Sequence, residues 1–338
     1  MNTLLEIILK AAVITLVALT GFAYLTLLER KFISRLQARY GPNRVGPFGL
    51  LQPVAEALKL IVKESIMPDK ADRPMFFLAP IMAVVPALAI FAVVPFGKGP
   101  VLQLASNVNV GMLYIAAVIG TAVYGVAIAG WASNNKYASL GGLRAAAQVV
   151  SYELALGLSM VTVVLLASSA SLAEIVEAQQ PGNILGWNIF KLPVGFVAAS
   201  IFAMTSLAEL ARAPYDLVEA EQELTAGYIT EYSGMKFALF FMSEYIKMIA
   251  LSALFATFFL GGWSGPFVNS LASPFGEILS LVYFIVKVLA CLLLMVLVRA
   301  TLPRLRYDKL MAFGWKMLLP VSLLNVVVTA LMIVLGIF

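Results

Sequence analysis

Carboxylates gather in one segment of this chain, between residues 209 and 236. The segment holds six of the eighteen acidic residues but only two basic ones, Arg212 and Lys236. Long apolar runs flank it, and a carboxylate beside hydrocarbon is costly unless it is solvated or has a function. The cluster therefore indicates a site that handles cations, protons or polar head groups, and its acids are Glu209, Asp216, Glu219, Glu221, Glu223 and Glu231.

A structural explanation accounts for part of this cluster. Asp216 followed by Glu219 fits a variant of the capping box, and acids in a first helical turn interact favourably with the helix dipole. Glu219 and Glu223 would repel each other across one helical turn, and coupled acids of this kind suit proton uptake as a group. Because a cap explains two carboxylates but not six, proton handling is favoured over a capped, solvated hairpin.

Four ionisable residues lie well inside apolar runs: Glu153, Glu244, Lys247 and Lys287. Each costs about 2.5 to 3.5 kcal/mol at the bilayer centre on insertion scales, so each should face the bundle interior with a partner. Glu244 and Lys247 share a helix face and could pair with each other. Glu153 has no such neighbour in its own run, which makes it the better candidate for a proton relay.

The elements that position these residues are predicted to be transmembrane helices. The sequence is 62% hydrophobic and only 12% charged, which is far outside the range of soluble domains. We predict an all-α, polytopic membrane protein that forms a single domain over residues 1–338. Eight apolar runs are long enough, or nearly so, to cross about 30 Å of hydrocarbon: roughly 4–28, 74–96, 109–131, 145–167, 192–208, 237–262, 278–298 and 317–338.

Basic residues predict the orientation of these spans. The first, third, fifth and seventh connections carry eighteen of the twenty-three lysines and arginines, and the second, fourth and sixth carry two. Positive charge favours the cytoplasmic side, so the connections at 29–73 and 209–236 are predicted to be cytoplasmic and both termini to lie outside. The net charge of +5 then reflects orientation and requires no nucleic acid.

The first connection contains a predicted helix of its own. Turn residues at 41–47 precede apolar residues spaced three and four apart from Leu51 to Val62, with charges on the opposite face. Such a helix lies in the membrane interface. It is either a surface brace or the wall of a portal for a lipid-soluble molecule.

The residue types exclude some chemistry. With no histidine and one cysteine, Cys291, the chain cannot ligate haem through histidine or hold an iron-sulfur cluster alone. Neither a P-loop nor a dinucleotide-binding glycine motif occurs. We therefore expect no metal site in this chain, and we do not expect it to be the electron carrier itself.

Four long stretches resemble the quinone-tunnel membrane subunit, the H subunit, of proton-pumping NADH:quinone oxidoreductase, respiratory complex I. They are LLERKFISRLQARYGPNRVGPFGLLQPVAEALKL (27–60), GWASNNKYASLGGLRAAAQVVSYEL (130–154), FALFFMSEYIKM (237–248) and RATLPRLRYDKLM (299–311). Within the acidic segment that family most often has Phe and Pro where this chain has Tyr215 and Val218. Val218 restores a backbone N–H and loosens the turn there, but every acid of the segment is present.

The resemblance implies a subunit that lines a quinone tunnel and binds no cofactor of its own. Quinone would be the substrate, with FMN and iron-sulfur clusters in partner subunits. The implied quinone-cavity residues are Glu29, Arg30, Arg35, Arg39, Asp72 and Arg299. The implied charged path toward the pumping subunits comprises Glu153, Glu209, Arg212, Asp216, Glu219, Glu221, Glu223, Glu231 and Glu244.

The same resemblance implies partners and a location. The partners are soluble quinone-module subunits with an iron-sulfur cluster, small and antiporter-like membrane subunits, quinone and membrane lipids. The membrane is the bacterial cytoplasmic membrane or an equivalent organellar one. Two alternatives stay open: a quinone-independent subunit of a membrane-bound hydrogenase-type complex, which the loop at 41–47 disfavours, and a secondary transporter, which would show inverted repeats and broken helices.

Overall fold

Helices make up the protein wherever its structure is described. The computed structural model describes residues 3–99, 102–105, 108–181, 183–216, 226–266, 268 and 275–337, and no strand occurs in these ranges. The all-α prediction is therefore confirmed. In chain order the α-helices α1 to α11 are Thr3–Leu36, Gln52–Val62, Arg73–Ala89, Gly111–Ala132, Lys136–Ala167, Leu172–Ala178, Val194–Glu209, Gly234–Phe259, Phe275–Thr301, Tyr307–Phe313 and Leu319–Val334.

Each predicted span coincides with a helix. Among the described residues, seven helices are long and apolar enough to cross a membrane, and α7 is a shorter apolar helix of 16 residues. The last of the seven runs from Tyr307 to Val334, because a single π-helical segment at Gly314–Leu318 joins α10 to α11. The prediction of an eight-span membrane protein is thus matched by seven long helices and one short one.

Some predicted helix ends were wrong. Helix α1 continues past Glu29 to Leu36, and α5 begins at Lys136 instead of near residue 145. Arginine and lysine lower the local hydropathy but are good helix formers, so these helices extend beyond their apolar portions. Asn135 caps α5, since its side-chain oxygen accepts a hydrogen bond of 2.9 Å from the backbone N–H of Tyr137.

The centre of the bundle is α8. It packs against α1, α3, α7 and α9, and Phe240, Met248 and Phe258 of this helix are completely buried. Small residues allow close packing elsewhere in the bundle: a Cβ on Gly125 of α4 would lie 2.8 Å from the backbone nitrogen of Ala83 in α3. The polar residues of α8 therefore lie on a helix that other helices surround.

Helix α2 is the predicted amphipathic helix. It touches α1 and α8, but none of its residues is buried in this chain. Its apolar residues Leu58 and Ile61 are 58% and 59% exposed. A hydrogen bond of 3.0 Å from the Ser233 hydroxyl to the carbonyl of Glu64 ties the chain after α2 to the start of α8.

Candidate functional site

A buried ionic cluster forms around Glu29, where α1, the chain after α7 and the end of α9 meet. Only 3% of Glu29 is exposed. Its Oε2 accepts a hydrogen bond of 3.0 Å from Nη1 of Arg212, and its Oε1 accepts one from Nη1 of Arg299. Glu29 thus pairs both with Arg299, another predicted quinone-cavity residue, and with Arg212, which the resemblance placed in the charged path.

Arg212 is enclosed on its other side by an aromatic ring. Its guanidinium carbon lies 4.2 Å from the ring centroid of Tyr245 in α8, a cation–π contact. Burial is the largest single influence on the pKa of Arg212 and lowers it, but Glu29, Tyr245 and Glu244 together outweigh burial and raise this pKa above its usual range. Arg212 therefore remains a fixed positive charge.

A second group of charged residues lies deeper in the bundle, around Lys247. Its Nζ is 3.6 Å from Oε1 of Glu209, the last residue of α7, and it also interacts electrostatically with Glu153 of α5. Glu244 accepts a hydrogen bond of 3.2 Å from the hydroxyl of Tyr228. One option from the sequence was a pair between Glu244 and Lys247; the ion pair found for Lys247 instead involves Glu209, because the end of α7 packs against α8.

A cavity of about 40 Å³ lies beside the inner group; most of its lining is apolar, but Glu209, Ser243, Glu244 and Lys247 also line it. This volume accommodates about two or three waters by the usual probe measure. Both carboxylate oxygens of Glu209 are buried and accept no hydrogen bond from the described residues. An ion pair at 3.6 Å is too long for a hydrogen bond, so the cavity is suited to waters that solvate this carboxylate.

Arg212 connects the two groups electrostatically. It lies three residues after Glu209 in sequence, and the negative charges that act on it include Glu244 of the inner group as well as Glu29. A change of charge at Glu29 would therefore be felt by Arg212, and through Arg212 by the inner acids. This arrangement can transmit an electrostatic change over a short buried distance.

The acidic segment is anchored at both described ends. Asp216 forms an ion pair of 2.8 Å with Arg304, and Glu231 accepts a hydrogen bond of 2.6 Å from the side-chain amide of Asn135. The predicted residues Glu219, Glu221 and Glu223 lie outside the described residues, as does part of the proposed capping box.

The remaining predicted quinone residues are exposed on the surface of the chain, and we call the three arginines among them, Arg30, Arg35 and Arg39, the rim arginines. Arg30 pairs with Glu56 of α2, and Arg39 donates to the side-chain oxygen of Gln37 at 2.7 Å. Arg30 and Arg39 border an open recess of about 390 Å³. The other two residues make local contacts outside the buried cluster. The guanidinium carbon of Arg35 lies 5.8 Å from the ring centroid of Tyr40, and Asp72 caps α3 by accepting a hydrogen bond of 3.4 Å from the backbone N–H of Met75.

Sequence reasoning missed three residues that organise the site. Gln148 of α5 is 1% exposed, and its amide donates hydrogen bonds of 2.9 Å to the carbonyls of Ala208 and Tyr215. It therefore fixes the turn that carries Arg212. Tyr228 and Tyr245 are the others. A buried glutamine in an apolar run was the available signal for Gln148; the tyrosines are unremarkable in a membrane helix or loop.

Within the described ranges, no three histidine, cysteine, aspartate or glutamate side chains gather in a way that could hold a metal ion. The chemistry that the site does support is electrostatic, because its groups are buried carboxylates and cations, several of which line a small cavity. Such groups bind, orient and move protons without carrying electrons.

Comparisons with known proteins match nearly the whole chain. The profile of the family described as NADH dehydrogenase matches residues 9–330. A protein of Geobacter sulfurreducens, named as a second H subunit of NADH-quinone oxidoreductase, is 51% identical over 328 residues, which cover 95% of this chain and 94% of that protein. Proteins of the same name from Syntrophobacter fumaroxidans and Koribacter versatilis are 49% and 47% identical, over 96% and 98% of this chain and 95% and 98% of theirs.

Proposed function

This chain belongs to the NADH dehydrogenase family as an H subunit of NADH-quinone oxidoreductase, and from that premise we propose that it forms a quinone-binding tunnel and starts the path that couples quinone reduction to proton translocation. The chain has this role as part of an oxidoreductase complex and supplies no redox centre. The observation that carries the proposal is the position of Arg212, which contacts Glu29 and lies within the electrostatic reach of Glu244.

The quinone tunnel runs from α2 toward Glu29. The exposed apolar side of α2 admits the isoprenoid tail from the lipid, and the rim arginines Arg30, Arg35 and Arg39, with Asp72, surround the way to the head group. Glu29 and Arg299 lie at the inner end. A polar quinone head gains charge density on reduction, so a fixed cation such as Arg212 stabilises the reduced state.

The charged path leads from Arg212 into the bundle. Reduction at the head group changes the charge near Glu29. Because Arg212 stays protonated, it responds by shifting its guanidinium relative to Glu29, and this shift changes the potential at the carboxylates around Lys247. Waters in the cavity then allow protons to redistribute among these carboxylates. The path comprises Glu153, Glu209, Asp216, Glu231 and Glu244, together with Glu219, Glu221 and Glu223 of the acidic segment.

The proposed partners follow from this role. The electrons reach the quinone from an iron-sulfur cluster in a soluble quinone-module subunit, and FMN belongs to another partner. Small and antiporter-like membrane subunits receive the effect of the charged path. The complex lies in a bacterial cytoplasmic membrane or an equivalent organellar membrane.

A bulky replacement on α2 tests the tunnel. Ala55 lies at the edge of the apolar side of α2 and is exposed. We expect Ala55→Trp to lower the rate with a long-tailed quinone at least about fivefold while the rate with a short-tailed analogue changes little, because only a long tail fills the entrance. The measurement is quinone reductase activity of the assembled complex with both substrates.

The matched control is Lys63→Trp, which places the same indole side chain on the polar side of this segment and is expected to leave both rates unchanged. Equal losses for long and short quinones in the assembled Ala55→Trp complex would show that α2 is a surface brace.

The proposed orientation places both termini outside and the acidic segment in the cytoplasm. Asn134 and Leu185 are exposed and lie in the third and fourth connections. In sealed vesicles of native orientation, a membrane-impermeant maleimide should label Leu185→Cys from outside and should not label Asn134→Cys until the membrane is opened. The unchanged chain is the background, because its single cysteine is buried within α9. The opposite pattern would reverse the orientation.

A further inference from the structure

A buried ammonium group occupies a ring of backbone carbonyls at the opposite end of α8 from the acidic segment. Lys287 of α9 is 9% exposed. Its Nζ donates hydrogen bonds of 2.7, 2.8 and 2.6 Å to the carbonyl oxygens of Leu260, Gly262 and Ser264. The indole of Trp187 covers the ammonium, with its ring centre 4.4 Å from Nζ.

The carbonyls converge because of the backbone that follows α8. Gly261 and Gly262 have φ values of +70° and +51°, in the left-handed region that glycine adopts without strain. This conformation turns alternate carbonyls, those of residues 260, 262 and 264, toward one point. A Cβ on Gly261 would lie 2.7 Å from the Trp187 ring, so glycine is also required for the aromatic cover.

Hydrogen bonds that do not involve the lysine hold this loop in place. The side-chain oxygen of Gln179 accepts from the N–H of Gly261 at 3.0 Å. The N–H of Gly262 donates to the carbonyl of Ala256 at 2.8 Å, and that of Ser264 donates to the carbonyl of Gly261 at 2.8 Å. The carbonyl ring is therefore preorganised and does not depend on Lys287 for its shape.

Two more buried oxygens belong to the same region. The Oγ of Ser264 and the Oδ1 of Asn188, the neighbour of Trp187, are inaccessible to solvent and have no hydrogen-bond partner among the described residues. Buried polar atoms normally have partners. Within the described ranges, the same loop has one unpartnered buried donor, the indole N–H of Trp263. The three carbonyls and the two unpartnered oxygens outnumber it, and a cation-binding pocket accounts for this excess of oxygen acceptors.

We propose that the loop Leu260–Ser264, with Trp187, is a binding site for a monovalent cation, and that Lys287 fills it with its own ammonium group. Backbone carbonyls bind dehydrated monovalent cations, and an indole face binds ammonium groups. The contacts of Lys287 within the described residues include no carboxylate, which disfavours a divalent ion. Potassium, ammonium and small alkylammonium ions are the class that fits.

The experiment removes the tethered amine and supplies a free one. In the assembled complex, Lys287→Ala leaves three buried carbonyls without a donor. We expect the half-life of the intact complex on heating, followed on native gels in choline chloride, to fall at least about tenfold. Potassium chloride or n-propylammonium chloride at the same ionic strength should restore it to within about twofold of the wild type.

Lys191→Ala is the matched control. Lys191 lies in the connection that contains Trp187, and burial lowers the pKa of its amine, but among the described residues no ring of carbonyls accepts hydrogen bonds from it. This variant and the wild type should show the same half-life in all three salts. A Lys287→Ala complex whose half-life is unchanged, or is shortened equally in every salt, would overturn the proposal.

If the Lys287→Ala complex does not accumulate, its assembly becomes the measurement. Cells that produce this variant are grown with n-propylammonium or with choline at equal osmolarity, and the amount of complex in their membranes is compared. More complex in the propylammonium cultures supports the cation site. Equal amounts overturn it.

Discussion

Replacing Arg212 with methionine should be among the most damaging single changes in this chain. Arg212 is 7% exposed and Glu29 is 3% exposed, so the substitution leaves a buried carboxylate with Arg299 as its remaining cationic partner in the cluster. Removing one member of a buried ion pair costs about 3 kcal/mol or more of stability. We expect a complex that dissociates at lower temperature and reduces quinone slowly.

A double variant separates the structural effect from the functional one. Glu29→Gln together with Arg212→Met removes both buried charges. The double variant should therefore lose about 2 kcal/mol less stability than the two single variants lose in sum. Quinone reduction and proton pumping should nevertheless stay low in this stabler complex, because the electrostatic connection from the tunnel to the inner acids is missing. Wild-type rates in the double variant would contradict the proposed role of Arg212.

Arg306→Met is the control for this series. Its side chain is 79% exposed and pairs with Asp308 at the surface. Surface ion pairs contribute little, so we expect a change within about 0.5 kcal/mol. Stability and both activities should match the wild type. A loss equal to that of Arg212→Met would mean that any arginine on this side of the protein matters equally.

The contrast between these two arginines shows what the sequence could predict. Periodicity and hydropathy locate spans and the amphipathic helix because these depend on residues close together in the chain. The cost of burying charge indicates that Glu153, Lys247 and Lys287 face the interior. These inferences need only the membrane as solvent and the geometry of one helix.

Pairing of the charges could not be predicted in the same way. Glu29 meets Arg212 across 183 residues and Arg299 across 270, and such contacts depend on how several helices pack. A local rule offered Glu244 as a partner for Lys247, whereas tertiary packing brought Glu209 to it. For Lys287 the partners are carbonyls, which every residue has, so side-chain identity gave no signal of its site.

Neutralising the carboxylates that line the inner cavity, Glu209 and Glu244, should impair both quinone reduction and proton pumping. We expect Glu209→Gln and Glu244→Gln to lower quinone reduction and proton pumping together by at least about tenfold, since loss of a proton-transfer group typically costs about a hundredfold or more. The cavity and the helix packing are nearly unchanged by an amide of the same shape. The measurement is paired: quinone reductase rate and proton uptake in vesicles, per assembled complex, across a range of pH.

Two further variants determine whether these losses of activity come from the missing negative charge or from a change of side-chain shape. Glu209→Asp retains a carboxylate beside Lys247 and should keep more activity than Glu209→Gln, with a pH profile closer to the wild type. Glu177→Gln neutralises an exposed acid at the other end of the bundle and should change neither rate. If Glu209→Gln and Glu244→Gln both retained wild-type rates, pumping and pH dependence, the inner acids would be structural partners of Lys247 and Tyr228, and the coupling path would have to run elsewhere.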